Sequence, residues 1–147
     1  MPDTATARLR LKRIDTGDYL NTWGVQQNVA QFDLVDEAIA GFTTKIVNAG
    51  GASLSSVNYA TDEARRAIIR TTGDGGPLTV PAVSKLYLIH NACTGDLVIS
   101  CGGTAATVLP GEIAAVYCDG AACFRALVLS AGGQRVRNVA DPTQPQD

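Results

Sequence analysis

Between Val25 and Phe42 the apolar positions fall at Val25, Phe32, Val35, Ile39 and Phe42, in alternating steps of three and four, and polar Asn28 fills the remaining slot of the seam. This spacing predicts a helix over 21–42 with a narrow apolar stripe along one side. A helix of that length is marginal alone in water, so the stripe needs a surface to pack against. Sister copies of the helix packed together satisfy it, with Asn28 setting register at some cost in stability. Packing onto the chain's own β-structure is the alternative. Asn21 or Thr22 is the expected N-cap, and Gly41 the expected left-handed stop.

The pattern before the helix is different. Arg8-Leu9-Arg10-Leu11-Lys12 alternates basic and apolar residues with a strand's period, placing Leu9 and Leu11 on one face. Residues 1–20 therefore read as an extended basic arm able to add to a neighbour's sheet edge. Its charge is local: Arg8, Arg10, Lys12 and Arg13 precede a stretch with Asp15, Asp18, Asp33, Asp36 and Glu37 and no Lys or Arg. Asp36 and Glu37 lie near the helix's carboxyl end, where the dipole disfavours them, and the Arg8 to Arg13 arm is the expected compensation.

From Thr43 onward short apolar runs alternate with turn signals. Strands are expected at Lys45–Val47, Ala52–Tyr59, Ala67–Thr71, Leu78–Val80, Lys85–Asn91, Asp96–Cys101, Ala105–Leu109, Ile113–Cys118 and Ala122–Ser130. Thr61 begins a capped helical turn, and Asp119-Gly120 gives the strongest hairpin signal. Turns every eight to twelve residues without an internal repeat predict a compact antiparallel sandwich or barrel over 43–130. Residues 131–147, with Gly132, Gly133, Pro142 and Pro145, read as an exit tail. The expected fold class is mainly β: arm, one α-helix, then a small antiparallel β-sandwich or barrel.

Composition narrows the function. The 147 residues carry 18% charged and 5% aromatic side chains, 15 Gly and a net charge of −2, which gives no general attraction to nucleic acid. No stretch approaches the roughly 20 apolar residues of a membrane span, and residues 1–13 lack a signal-peptide core, so a soluble protein made in a cytosol is expected. Cys93, Cys101, Cys118 and Cys123 show no CxxC spacing and His90 is the single histidine, so no zinc site is expected. The thiols read as small buried apolar groups, with a Cys118–Cys123 bridge open to them in an oxidising medium.

No catalytic site is expected either. Gly73-Asp74-Gly75-Gly76 lacks the following Lys-Ser/Thr of a phosphate loop, His90 has no recognisable nucleophile, and no carboxylate pair can be assigned. Asp74, Asp96 and Asp119 sit in turn signals without calcium-loop spacing. Trp23 is expected to be a packing anchor for the arm. No cofactor is called for.

Gly17-Asp18-Tyr19-Leu20-Asn21-Thr22-Trp23-Gly24 and Phe32-Asp33-Leu34-Val35-Asp36-Glu37-Ala38-Ile39-Ala40-Gly41 resemble the amino-terminal signature of tailed-phage fibre proteins. Thr79 to Val83, Tyr87 to Asn91 and Val116 to Gly120 are similar to the small β-domain that follows it there. The resemblance implies a homotrimeric virion component assembled in the host cytoplasm, with its amino-terminal region on the particle and its β-domain outward. Fibres of this family usually continue into a shaft and tip, and more often have Thr, Ser or Val where Cys stands here. A chain this short is expected to be a tail fibre, a fibre adaptor, a head fibre or a capsid decoration protein.

On that reading Arg8, Leu9, Arg10, Leu11, Lys12, Arg13 and Trp23 would dock on the particle, and Val25, Asn28, Phe32, Val35, Ile39 and Phe42 would hold the copies together. The partners would be sister copies, other tail or capsid proteins, and a host-surface glycan if the β-domain binds one. A glycan-binding module is the alternative of another class.

Overall fold

The computed structural model describes residues 4–15 and 17–130; the tail expected over 131–147 lies outside them. The chain is mainly β. In order it forms β1 (Thr4–Ala5), β2 (Lys12–Arg13), α1 (Trp23–Gln27), a π-helical turn (Asn28–Phe32), α2 (Asp33–Ala40), β3 (Phe42–Ile46) and β4 (Ala52–Ser53). A 3-10 turn (Glu63–Arg65) follows, then β5 (Ile68–Thr72), β6 (Gly76–Thr79), β7 (Ser84–Asn91), β8 (Leu97–Ser100), β9 (Ala106–Val108), β10 (Glu112–Asp119) and β11 (Cys123–Ser130).

The arm is not extended. β1 and β2 pair with each other, residues 7–9 turn between them, and Arg10 takes a positive φ of 54°. The alternation of Leu9 and Leu11 therefore does not belong to a strand. The helix is present but broken in phase by the π-helical turn, which adds backbone per turn and shifts the stripe. Its caps also differ: Thr22 makes no side-chain cap bond, and Gly41 is extended (φ −66°, ψ 138°) because the chain passes directly into β3. Phe42 is thus the first strand residue.

The main β-region holds a five-stranded sheet, β11-β10-β7-β5-β3, and a four-stranded sheet, β4-β6-β8-β9. Neither closes on itself. The expected antiparallel arrangement holds only in part, since β3/β5, β5/β7, β4/β6 and β6/β8 are parallel. From β3 to β8 the chain alternates between the two sheets, so each return lays a strand parallel to its predecessor. It then folds back, with β9 on β8, β10 on β7 and β11 on β10, all antiparallel.

The corners explain the glycine-rich run. Residues 73–76 thread between the corners at 47–49 and 92–96, with Gly75 N–H on the Val47 carbonyl (3.0 Å) and Thr94 N–H on the Gly73 carbonyl (3.0 Å). Gly75 has φ +88°, and a Cβ there would lie 2.7 Å from the Gly95 carbonyl. No side chain fits, and the segment is a structural corner. Buried Asn91 closes the next corner, accepting from Cys93 N–H (3.0 Å) and donating to the Val108 (2.8 Å) and Gly95 (3.1 Å) carbonyls.

Val47, Leu54, Leu78, Val80, Leu97, Ile99 and Val108 meet Ile69, Tyr87, Ile89, Ala114 and Val116 in one buried cluster fed by both sheets. Strand alternation places these residues inward and their neighbours outward.

Candidate functional site: an uncovered apolar face

Many outward residues of the five-stranded sheet are also apolar, on either side of a row that carries Thr44, Arg70 and His90. The register sets Phe42 beside Ile68, Ile68 beside Leu88, and Leu88 beside Ala115. The adjacent row runs Leu86, Tyr117, Phe124, and the last two rings stack with centroids 5.1 Å apart. Phe42 is 52% exposed and Leu86 60%, with Ile46, Leu88, Tyr117 and Phe124 also open. At about 200 Å² per aromatic residue, Phe42, Tyr117 and Phe124 together leave roughly 250 Å² in water. Leu86 and Leu88 carry the patch into the ~300–600 Å² range of the largest, often functional, patch on a typical monomer.

The helical segment adds to it. Ala30 and Leu34 are buried, whereas Val25, Asn28, Val29, Phe32 and Ile39 are exposed, Ile39 at 74%, and Val35 is half-buried. The stripe therefore faces away from the chain's own sheets, and the alternative of self-packing does not hold. Val29, four residues after Val25 and three before Phe32, joins the exposed set. The alternating three-and-four seam passed over it in favour of Asn28. Trp23 is 59% exposed and so is not a buried anchor.

What holds the helix against the β-region is a buried ionic joint. Asp62, with its side chain fully buried, accepts from Arg10 Nη2 (2.7 Å), Arg10 Nε (3.2 Å), Val57 N–H (2.8 Å) and Arg65 N–H (2.6 Å). It caps the 3-10 turn, one residue after the expected Thr61. Arg65 is wholly buried and donates to the carbonyls of Leu9 (2.9 Å), Val57 (3.1 Å) and Ala60. Its Nη1 also lies 3.4 Å from Glu37, which receives Thr61 Oγ1 and Arg66 Nε (2.9 Å). Burial pushes Glu37 up, but the hydrogen bonds from Thr61, Arg66 and Arg65 outweigh it and hold the carboxyl below its ordinary value. The compensation for the acidic helix end thus comes from Arg65 and Arg66, not from the arm.

Of the residues expected to dock, Arg10 is turned into its own domain by this joint. Leu9, Leu11 and Lys12 are half-buried, and Lys12 Nζ reaches Tyr19 Oη (2.7 Å) and Gln26 Oε1 (3.1 Å). Arg8, Arg13 and Trp23 are exposed. Lys85 is drawn down to about 8, chiefly by burial and then by Arg10. It donates to the Ala64 (2.8 Å), Arg65 and Arg66 (2.7 Å) carbonyls, which take up its three donor hydrogens. His90 stands on the outer face between Arg70 and Ile113 in the register.

No family model, curated protein or solved structure matches the chain.

Proposed function

We propose that this protein is a structural, non-enzymatic virion component of a phage or phage-derived particle: a short homotrimeric tail fibre or fibre adaptor. The two sheets would act as a sandwich-like knob beyond the helix. The reading rests on the uncovered apolar residues of the helix and of the outer face of the five-stranded sheet. Burying the three sheet aromatics alone favours association by roughly 6 kcal/mol per copy at about 25 cal/mol per Å², before the costs of association. Sister copies are the fitting occupant, because the helical stripe and the sheet face carry matched apolar chemistry and a closed ring removes both from water. The likeness of Gly17 to Gly24 and Phe32 to Gly41 to fibre signatures supports three copies and a particle. Arg8, Arg13 and Trp23, exposed beside the helix start, are the proposed contacts to tail or capsid proteins. A head fibre or decoration protein uses the same parts.

The test is mass in solution. Light scattering of the full chain is expected to return three copies, and Ile39→Asp and Leu86→Asp each to return one with unchanged far-ultraviolet circular dichroism. A wild-type monomer at tens of micromolar overturns the assembly. Purified particles that lack the chain by immunolabelling overturn the virion assignment separately, and labelling at tail or head separates those locations.

A further inference from the structure

Three cysteines distant in sequence meet at one end of the fold. The Sγ atoms of Cys101, Cys118 and Cys123 all lie within 4.8 Å of one another, and all three residues are buried. Cys118 and Cys123 are opposite residues of the β10–β11 hairpin, while Cys101 directly follows β8 in the other sheet. Two close approaches hold the elements together there: Cys123 N–H donates to the Thr104 carbonyl at 2.8 Å, and a Cβ on Gly103 would lie 2.3 Å from the Ala121 carbonyl oxygen.

We propose that these three sulfurs form a site for a soft monovalent cation of the copper(I) class, which would staple the β10–β11 hairpin to the end of β8 and so tie the two sheets. Metal–sulfur bonds of about 2.3 Å in a trigonal plane separate the sulfurs by roughly 4.0 Å, inside the observed spacing. Soft thiolates select copper(I), whereas structural zinc takes four ligands. Among the described residues no histidine or carboxylate joins the three sulfurs. The surroundings suit a thiolate cluster. Lys85 is the register partner of Cys118 and brings a cation to the same face. Tyr87, 1% exposed, has a buried hydroxyl with no hydrogen-bond partner among the described residues. Burial and then the Cys118 thiol push that hydroxyl up. Such a donor is of the kind that supports metal ligands from behind.

Binding forms three metal–sulfur bonds and releases the thiol protons to solvent. The ion enters as copper(I), and no electron is transferred. Affinity therefore rises with pH.

The experiment uses the reduced full chain under nitrogen, titrated with copper(I) against a colorimetric copper(I) chelator. The expected result is one ion per chain, a higher melting temperature, and three-sulfur coordination by X-ray absorption. Cys101→Ala, Cys118→Ala and Cys123→Ala are each expected to lose stoichiometric binding while Cys93→Ala keeps it, with circular dichroism confirming folded variants. The absorption measurement on the wild-type chain holds even where a variant fails to fold. No binding in competition, equal loss in Cys93→Ala, or a two- or four-sulfur shell overturns the proposal.

Discussion

Asp62 is the residue whose removal tests the ionic joint most directly. In Asp62→Ala the Arg10 guanidinium, 8% exposed as a residue, loses its carboxylate partner and keeps the Arg8 (3.1 Å) and Val57 (3.4 Å) carbonyls. Arg65 still has Glu37 at 3.4 Å. The Val57 and Arg65 backbone amides lose their acceptor as well. Breaking a buried pair from one side costs about 3–5 kcal/mol, and the two orphaned amides place this case in the upper half, about 4–5 kcal/mol. Arg10→Met removes the charge on the other side but leaves Asp62 with Arg65 (3.5 Å) and both amides, so it should cost less, about 1–2 kcal/mol. The assay is urea unfolding at pH 7 followed by circular dichroism on the Ile39→Asp background, so that assembly does not enter the transition. An Asp62→Ala cost under about 1 kcal/mol, the range of exposed pairs, refutes the joint. So does an Arg10→Met cost equal to or above that of Asp62→Ala.

Two further outcomes follow from the same geometry. Glu63, like Glu37, lies below its ordinary value: burial raises it, but Lys45 (2.8 Å) and the Ser55 N–H (2.8 Å) outweigh that. Both carboxylates therefore stabilise the fold fully above the unfolded value of about 4.3, and the contribution is lost as pH falls through the depressed folded values. Stability is expected to decline below about pH 4, and Glu37→Gln with Glu63→Gln should flatten that decline in denaturant titrations at stepped pH; an unchanged acid slope contradicts the assignment. Tyr87→Phe deletes a buried hydroxyl without a partner among the described residues and is expected to raise stability by about 1 kcal/mol. A loss of stability of that size in thermal unfolding would mean the hydroxyl is satisfied.

Most strands from Phe42 to Ser130 are legible in residue order, because strand signals are local: apolar runs such as Leu86 to Asn91 and breaks such as Pro110-Gly111 need only neighbours along the chain. The amphipathic helix is legible for the same reason. The tertiary structure alone decided that β3 to β8 alternate between two sheets and pair in parallel, since pairing direction depends on where the chain returns in space and leaves no mark on residue spacing. Packing chose, too, that Arg10 turns inward to Asp62 across 52 residues of chain and that Cys101 joins Cys118 and Cys123. Each is a contact between distant segments, and the same residue types fit several partners until packing chooses one. The outer rows of Phe42, Leu86, Leu88, Tyr117 and Phe124 show both sides of this: continuous apolar strands read equally as buried on two faces, and only the fold left one face open.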